Sequence, residues 1–324
     1  MHIPDGFLTH GVAAVMGVGA LAVTAYSVKR SFGQVPRGRL PLLAATAALV
    51  FAGQMVNFPI ARGTSGHFLG AVFAAMLFGP FLANILITVI LGLQMLLFQD
   101  GGLLALGANA CNMAVIGTFG GYWIYRMLKD LVGGTNGTLV GAFVAGWFSV
   151  VLSAAACALE LGFSGIFSPL TMLGDMLGPH IKIGVAEGLL TLGLAAMLMQ
   201  IEPADDRIRQ GGLLASGDGR APRQQLRLLL ALALLVVVAG TPFSSRSPDG
   251  LERVATDLGF IHKGDLTFFT APLPDYHLPG VGNEVLSVII AGLLGVVILF
   301  SVVAAISMLL GERKINAAPP MAGG

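Results

Sequence analysis

The chain has 324 residues, of which 55% are apolar and only 11% charged, against about 25% charged residues in an ordinary soluble domain. With a mean hydropathy of +0.83, this composition excludes a large soluble enzyme, and it also excludes a disordered chain, which needs many charges and few apolar residues. The net charge of +1 gives no bulk attraction to nucleic acid, so no nucleic-acid partner is expected.

Met1-His2-Ile3-Pro4-Asp5-Gly6 carries an acid and a proline where a cleavable signal carries lysine or arginine. The N-terminus is therefore expected to stay in the mature protein. Nine apolar runs follow, at 7–28, 40–60, 67–79, 81–98, 104–128, 139–161, 181–201, 226–242 and 285–310. The third and eighth are short for a span of about 20 residues. Gly79-Pro80 must turn the chain between the third and fourth, because the merged run would be too long for one crossing. Alternating the nine from an outside N-terminus puts thirteen of the eighteen Lys and Arg residues inside. The expectation is an all-α integral membrane protein with its C-terminus cytoplasmic.

Residues 202–225 are polar, rich in arginine and glycine, and read as a cytoplasmic linker. The division expected is a seven-span bundle over 1–201 and, over 226–324, two further spans enclosing an external loop. Cys111 and Cys157 lie in apolar runs, which fits buried thiols rather than a disulfide framework. Small residues recur along the first span, and the Ala13/Gly17 spacing suits close helix contact. Internal packing and a contact with a second membrane subunit both fit it.

Soluble catalytic motifs are absent: there is no G-x-x-x-x-G-K-[ST], no H-E-x-x-H and no G-x-S-x-G. Glu160 and Glu187 stand near span ends, where an interfacial role competes with an intramembrane one. The informative feature is His2. The Met1 amine and the His2 main-chain nitrogen can close a five-membered chelate ring, and that nitrogen with His2 Nδ1 a six-membered one. Three nearly coplanar nitrogens suit tetragonal Ni²⁺ or Cu²⁺ rather than Mg²⁺ or Ca²⁺. The amide must lose its proton, so binding should weaken in acid. Bulky His2 should keep Met1 in place. For the fourth position His67, expected on the same face as His2, competes with His10 and His180.

At Met1-His2-Ile3-Pro4-Asp5-Gly6-Phe7-Leu8 the chain resembles the CbiM/NikM family, the substrate-binding subunits of energy-coupling-factor (ECF) transporters for nickel and cobalt. Gln54-Met55-Val56-Asn57-Phe58-Pro59 and Ser65-Gly66-His67-Phe68-Leu69-Gly70 also match, and the likeness runs through about residue 200. The resemblance implies an N-terminus folded into the bundle. It implies metal held by the Met1 amine, the His2 amide nitrogen, the His2 imidazole and the His67 imidazole. It also implies a membrane coupling (T) subunit and cytoplasmic ATPase subunits in trans, in a prokaryotic cytoplasmic membrane. Ser247-Pro248-Asp249-Gly250-Leu251-Glu252 and Pro272-Leu273-Pro274-Asp275-Tyr276 resemble the PDGLE domain of the CbiN/NikN partner subunits. The chain thus resembles a NikM–NikN fusion.

The expectation is a transport subunit, not an enzyme, with Ni²⁺ as cargo, Co²⁺ as the alternative and no catalytic cofactor. An intramembrane metalloenzyme is the rival, but four nitrogen donors leave no open equatorial position for substrate or water. The role of the Pro-Asp-Gly-Leu-Glu motif stays open between a structural turn and docking or gating. His262 and His277 fit either metal capture or ordinary solvation.

Overall fold

Thr9 opens the first helix, accepting the Val12 N–H on its side-chain oxygen, and α1 (His10–Ser31) runs from there. The computed structural model describes residues 2–35, 37–60, 63–201 and 223–311. Met1 and most of the predicted linker, 202–222, lie outside the described residues.

α1 is followed by α2 (Leu40–Met55), which is apolar all round and almost wholly buried, as such a helix must be. A short antiparallel hairpin comes next, β1 (Phe58–Ile60) against β2 (Thr64–Gly66), with Pro59 opposite Ser65. The eight-residue α3 (Ala71–Phe78) then leads through Gly79, at φ +79°, into α4 (Pro80–Phe98). An unbroken helical run from 106 to 132 is built of α5 (Leu106–Asn109), a π-helical stretch (Ala110–Gly120) and α6 (Gly121–Val132). Two long helices, α7 (Gly134–Phe163) and α8 (Pro169–Ile201), pack against each other. Beyond the linker come α9 (Arg223–Leu235), the small α10 (Gly250–Asp257) and α11 (Glu284–Leu310).

Among the described residues, six helical segments are long and apolar enough to cross a membrane: His10–Ser31, Pro80–Phe98, Gly134–Phe163, Pro169–Gln200, Arg223–Phe243 and Glu284–Leu310. The third predicted run differs from expectation. Its helix, α3, rises only about 12 Å, because Gly70 at φ +72° starts it late and residues 67–70 are not helical.

The ends of the bundle are sorted by direct contacts. At one end Gly33 donates to the Leu310 carbonyl at 2.9 Å, joining the C-terminal ends of α1 and α11. At the other end Thr9 N–H meets Ser164 Oγ at 3.1 Å, and Ser245 N–H meets the Asn57 carbonyl at 2.8 Å. The main core gathers α2, α3 and α4 with α9 and α11, so the second module is packed on the first through α2.

The small residues of α1 divide between two faces. Ala13 and Ala20 are buried, and a Cβ on Gly107 would overlap the Gly17 backbone, so Ala13 and Gly17 serve internal packing. Gly11, Ala14, Gly19 and Ala22 are exposed on the outer face, beside Val15, Val18 and Leu21, each about 70% exposed. Glu160 and Glu187 are not interfacial: both are buried. Glu160 accepts from Asn112 Nδ2 at 2.8 Å.

Candidate metal centre

Residues 2–7 form a threaded N-terminal segment held by a loop that follows α4. Asn109 clamps Ile3 on both sides, accepting its N–H at 2.8 Å and donating to its carbonyl at 3.0 Å. Gly102 N–H reaches the same carbonyl at 2.9 Å. The Asp5 carboxylate accepts the N–H groups of Leu103, Leu104 and Ala105 at 2.8, 2.8 and 3.2 Å. A Cβ on Gly102 would overlap Asp5, so glycine is what lets the two strands of chain approach. Ile3 and Phe7 are buried as apolar anchors. Both backbone polar groups of buried Ile3 thus have partners, as burial demands.

This anchoring delivers His2 to His67. The two imidazoles stack with centroids 5.2 Å apart and planes 19° apart. His2 Nδ1 lies 3.0 Å from Asp100 Oδ1, and its Nε2 is buried with no hydrogen-bond partner among the described residues. Chelation through Nδ1, as read from the sequence, therefore requires the ring to turn about Cβ–Cγ and leave Asp100. His67 Nδ1 approaches the Phe68 carbonyl at 3.3 Å, which favours the tautomer with the lone pair on Nε2. A neutral imidazole is the form that binds metal.

The loop carrying His67 is fixed from two helices. Glu187 on α8 accepts the N–H groups of Leu69 and Gly70 at 2.6 and 2.9 Å, and Gln54 on α2 donates to the Leu69 carbonyl at 2.9 Å. A Cβ on Gly70 would meet Val50 at 2.7 Å. Neither Gln54 nor Glu187 was singled out from the sequence as a support for His67, although Gln54 stands in a matched motif. Asp100 was missed altogether, since one acid after an apolar run carries no signal of its partner.

The second module closes over this centre. Ser65 donates its N–H to the Pro248 carbonyl and its hydroxyl to the Ser247 carbonyl, at 2.8 and 2.7 Å. Asp249 caps α10, accepting the N–H groups of Leu251 and Glu252, while Glu252 reaches back to the Asp249 N–H at 2.9 Å. This is a capping box. Gly250 lies against the His180 ring, where a Cβ would be 2.6 Å from Cε1, and Leu251 is buried. Each residue of Asp-Gly-Leu-Glu thus has a place in a helix start docked on the first module. Tyr276 adds a second contact: its hydroxyl donates to Asp100 Oδ2 at 2.6 Å and receives Gln94 Nε2 at 3.0 Å. Burial raises the Asp100 pKa, but the His2 imidazole beside it and the bonds from His2 and Tyr276 outweigh this and hold its carboxyl below the usual range.

The other histidines separate clearly. His180 is buried, with Nδ1 2.6 Å from the Met176 carbonyl, and reaches His67 only across a small cavity shared with Gly250. His10 and His262 are exposed and line no cavity shared with His2. His277 lines the cavity above His2 and His67. Among the described residues no three His, Cys, Asp or Glu side chains form a metal-holding group. The expected donor set draws half of its nitrogens from the main chain and the Met1 amine, and that amine lies outside the described residues.

Residues 2–204 match the family model described as cobalt uptake substrate-specific transmembrane region, CbiM, and residues 223–312 match the PDGLE domain. A fused nickel transport protein, NikMN, of Rhodobacter capsulatus is 32% identical, with 98% of this chain and 99% of that protein covered. A cobalt transport protein, CbiM, of Geobacter sulfurreducens is 32% identical over 79% of this chain and 77% of its own length. The crystal structure of a transition metal transporter superposes with a TM-score of 0.58 at 32% identity, covering 63% of this chain and 95% of that one. The chain therefore belongs to the CbiM family of metal transport proteins, with a PDGLE domain fused behind the CbiM region, and it is a multi-pass membrane protein rather than an enzyme.

Proposed function

We propose that this chain is the substrate-specific subunit of an ATP-driven importer that captures Ni²⁺ outside the cell. The donors in this reading are the Met1 amine, the His2 amide nitrogen, His2 Nδ1 and His67. The observation that carries it is the juxtaposition of His2 and His67: far apart in sequence, they are brought to 5.2 Å by an N-terminal segment anchored through buried Ile3, Asp5 and Phe7. Four strong nitrogen donors in a near plane favour Ni²⁺ over Co²⁺. Cobalt is the second reading, favoured by the name of the Geobacter relative.

The proposed topology has nine crossings. Six are the long helices; α2, the 67–79 leg and the 106–132 run supply the other three. The N-terminus is outside and the C-terminus cytoplasmic, which puts the centre at the outer face. The 67–79 leg counts as a crossing because α4, about 28 Å long, separates Gly79 from Asp100, which lies beside His2 at the end where His67 also sits. The modules divide at 1–201 and 226–324 around the 202–225 linker. A coupling (T) subunit and cytoplasmic ATPase subunits would supply the energy, since the chain contains no nucleotide-binding motif.

Titrating purified full-length protein with Ni²⁺ and Co²⁺ tests the reading. One Ni²⁺ per chain, abolished by His2→Ala and weakened by His67→Ala, is expected. Unchanged binding in both variants would contradict it.

A further inference from the structure

A cavity of about 580 Å³ lies over the histidine pair, and its wall is acidic in an unequal way. Six carboxylates line it, against a single guanidinium among the described residues, Arg246. That guanidinium is already engaged, 2.7 Å from Glu284. Asp100 is the one carboxylate drawn from the first module; Asp249, Glu252, Asp265, Asp275 and Glu284 all come from the second. Exposure grades along the wall. Glu252, Asp265, Asp275 and Glu284 are exposed, Asp100 and Asp249 are half-buried, and the His2 side chain is only 6% exposed. His2, whose Nε2 is buried without a hydrogen-bond partner among the described residues, is one of the residues lining this same cavity.

A cleft walled by one sign of charge over a low-dielectric body focuses its field and raises the local concentration of counter-ions, with gains in association rate of about 10- to 1000-fold. We propose that the second module is an electrostatic funnel for the metal: Glu252, Asp265 and Asp275 attract free divalent cations from outside and pass them to His2 and His67. The funnel also discriminates by chemical form, since anionic metal complexes are repelled from the same wall. This rests on the reading of His2 and His67 as the metal centre and gives the fused module a role in the rate of capture. That role is separable from the structural one of its capping box.

Neutral isosteres test it with little disturbance. Glu252→Gln keeps the capping-box acceptor, and Asp275→Asn suits the left-handed backbone at φ 51°. The triple variant with Asp265→Asn is compared with wild type in full-length protein by stopped-flow mixing with Ni²⁺ at low and high salt. Wild type should associate fast and slow steeply as salt screens the wall. The triple variant should associate about tenfold more slowly at low salt and lose most of the salt dependence, with its dissociation rate unchanged. Each single variant should slow association about twofold, so the test does not depend on the triple variant folding. Association rates and salt dependence equal to wild type in variants that still bind one Ni²⁺ would overturn the funnel and leave the metal centre standing. Failure of wild type to bind Ni²⁺ would overturn both.

Discussion

Glu187 holds Leu69 by its backbone: the carboxylate of one, on α8, accepts the N–H of the other at 2.6 Å, with Gly70 N–H beside it at 2.9 Å. The residue two places before Leu69 is His67, so a helix distant in sequence fixes the angle at which that imidazole enters the site. Groups that orient a ligand typically cost 10- to 100-fold in metal affinity when removed. Glu187→Ala should weaken Ni²⁺ binding by roughly that factor, and Glu187→Gln, which keeps one acceptor, by less. Equal affinity in titrations of both variants would show that the loop orients itself without Glu187.

Gly250 makes a similarly specific contact with His180. A methyl there would lie 2.6 Å from Cε1 and 2.7 Å from Nε2, inside van der Waals contact. Gly250→Ala should lift α10 off the first module and cost about 1–3 kcal/mol, the usual range for overpacking. Combining it with His180→Ala opens the space, so the double variant should recover part of the loss. Additive losses in thermal melts of the four proteins would mean that the ring and the glycine do not press on each other.

Gly17 and Gly107 bring α1 and α5 into backbone contact. A Cβ on Gly107 would overlap the Gly17 backbone, so Gly107→Leu should destabilise the isolated chain by about 1–3 kcal/mol, read as a lower melting temperature in detergent. A Gly107→Leu variant that melts like wild type would show that the two helix backbones do not meet there.

Acid should release the metal, through the main chain rather than through His67. Binding in the proposed centre displaces the His2 amide proton, so affinity should fall at least about tenfold per unit as pH drops from 8 to 6. The two donors that lose protons on binding, the amine and the amide, belong to Met1 and His2, so removing His67 leaves that slope in place. The His67→Ala variant should bind more weakly with a comparable slope. A flat affinity profile for wild type between pH 6 and 8 would exclude the amide as a donor.

The helices and the His2–His67 pairing were legible because their causes are local or strongly patterned. Apolar runs and the Gly79-Pro80 turn mark the helices, and a histidine next to the terminal residue restricts what chelate can form. Three things were not legible. The shortness of α3 depends on Gly70, which sits at φ +72° just before the helix with no room for a Cβ against Val50. The supports of the site, Asp100, Gln54 and Glu187, are single polar residues whose partners arrive from other helices. The role of Asp249-Gly250-Leu251-Glu252 was half visible. A turn was expected from Asp-Gly, but the reciprocal bonds of the capping box and the His180 contact require knowing what α10 rests on. His2 Nδ1 on Asp100 was not foreseen either, because nothing in the sequence pattern brings a residue 98 places away beside the N-terminus.

The central claim is that the terminal amine of Met1 is a metal ligand, and one comparison tests it most directly. Full-length protein carrying a single extra residue before Met1, shown by mass spectrometry to be retained, is titrated with Ni²⁺ beside protein tagged only after Gly324. The extension converts the amine into an amide and removes the five-membered ring. The C-terminally tagged protein should bind one Ni²⁺ tightly, while the extended protein should lose tight binding. Equal affinity in the two would show that the amine is not a donor and that the proposed centre is wrong.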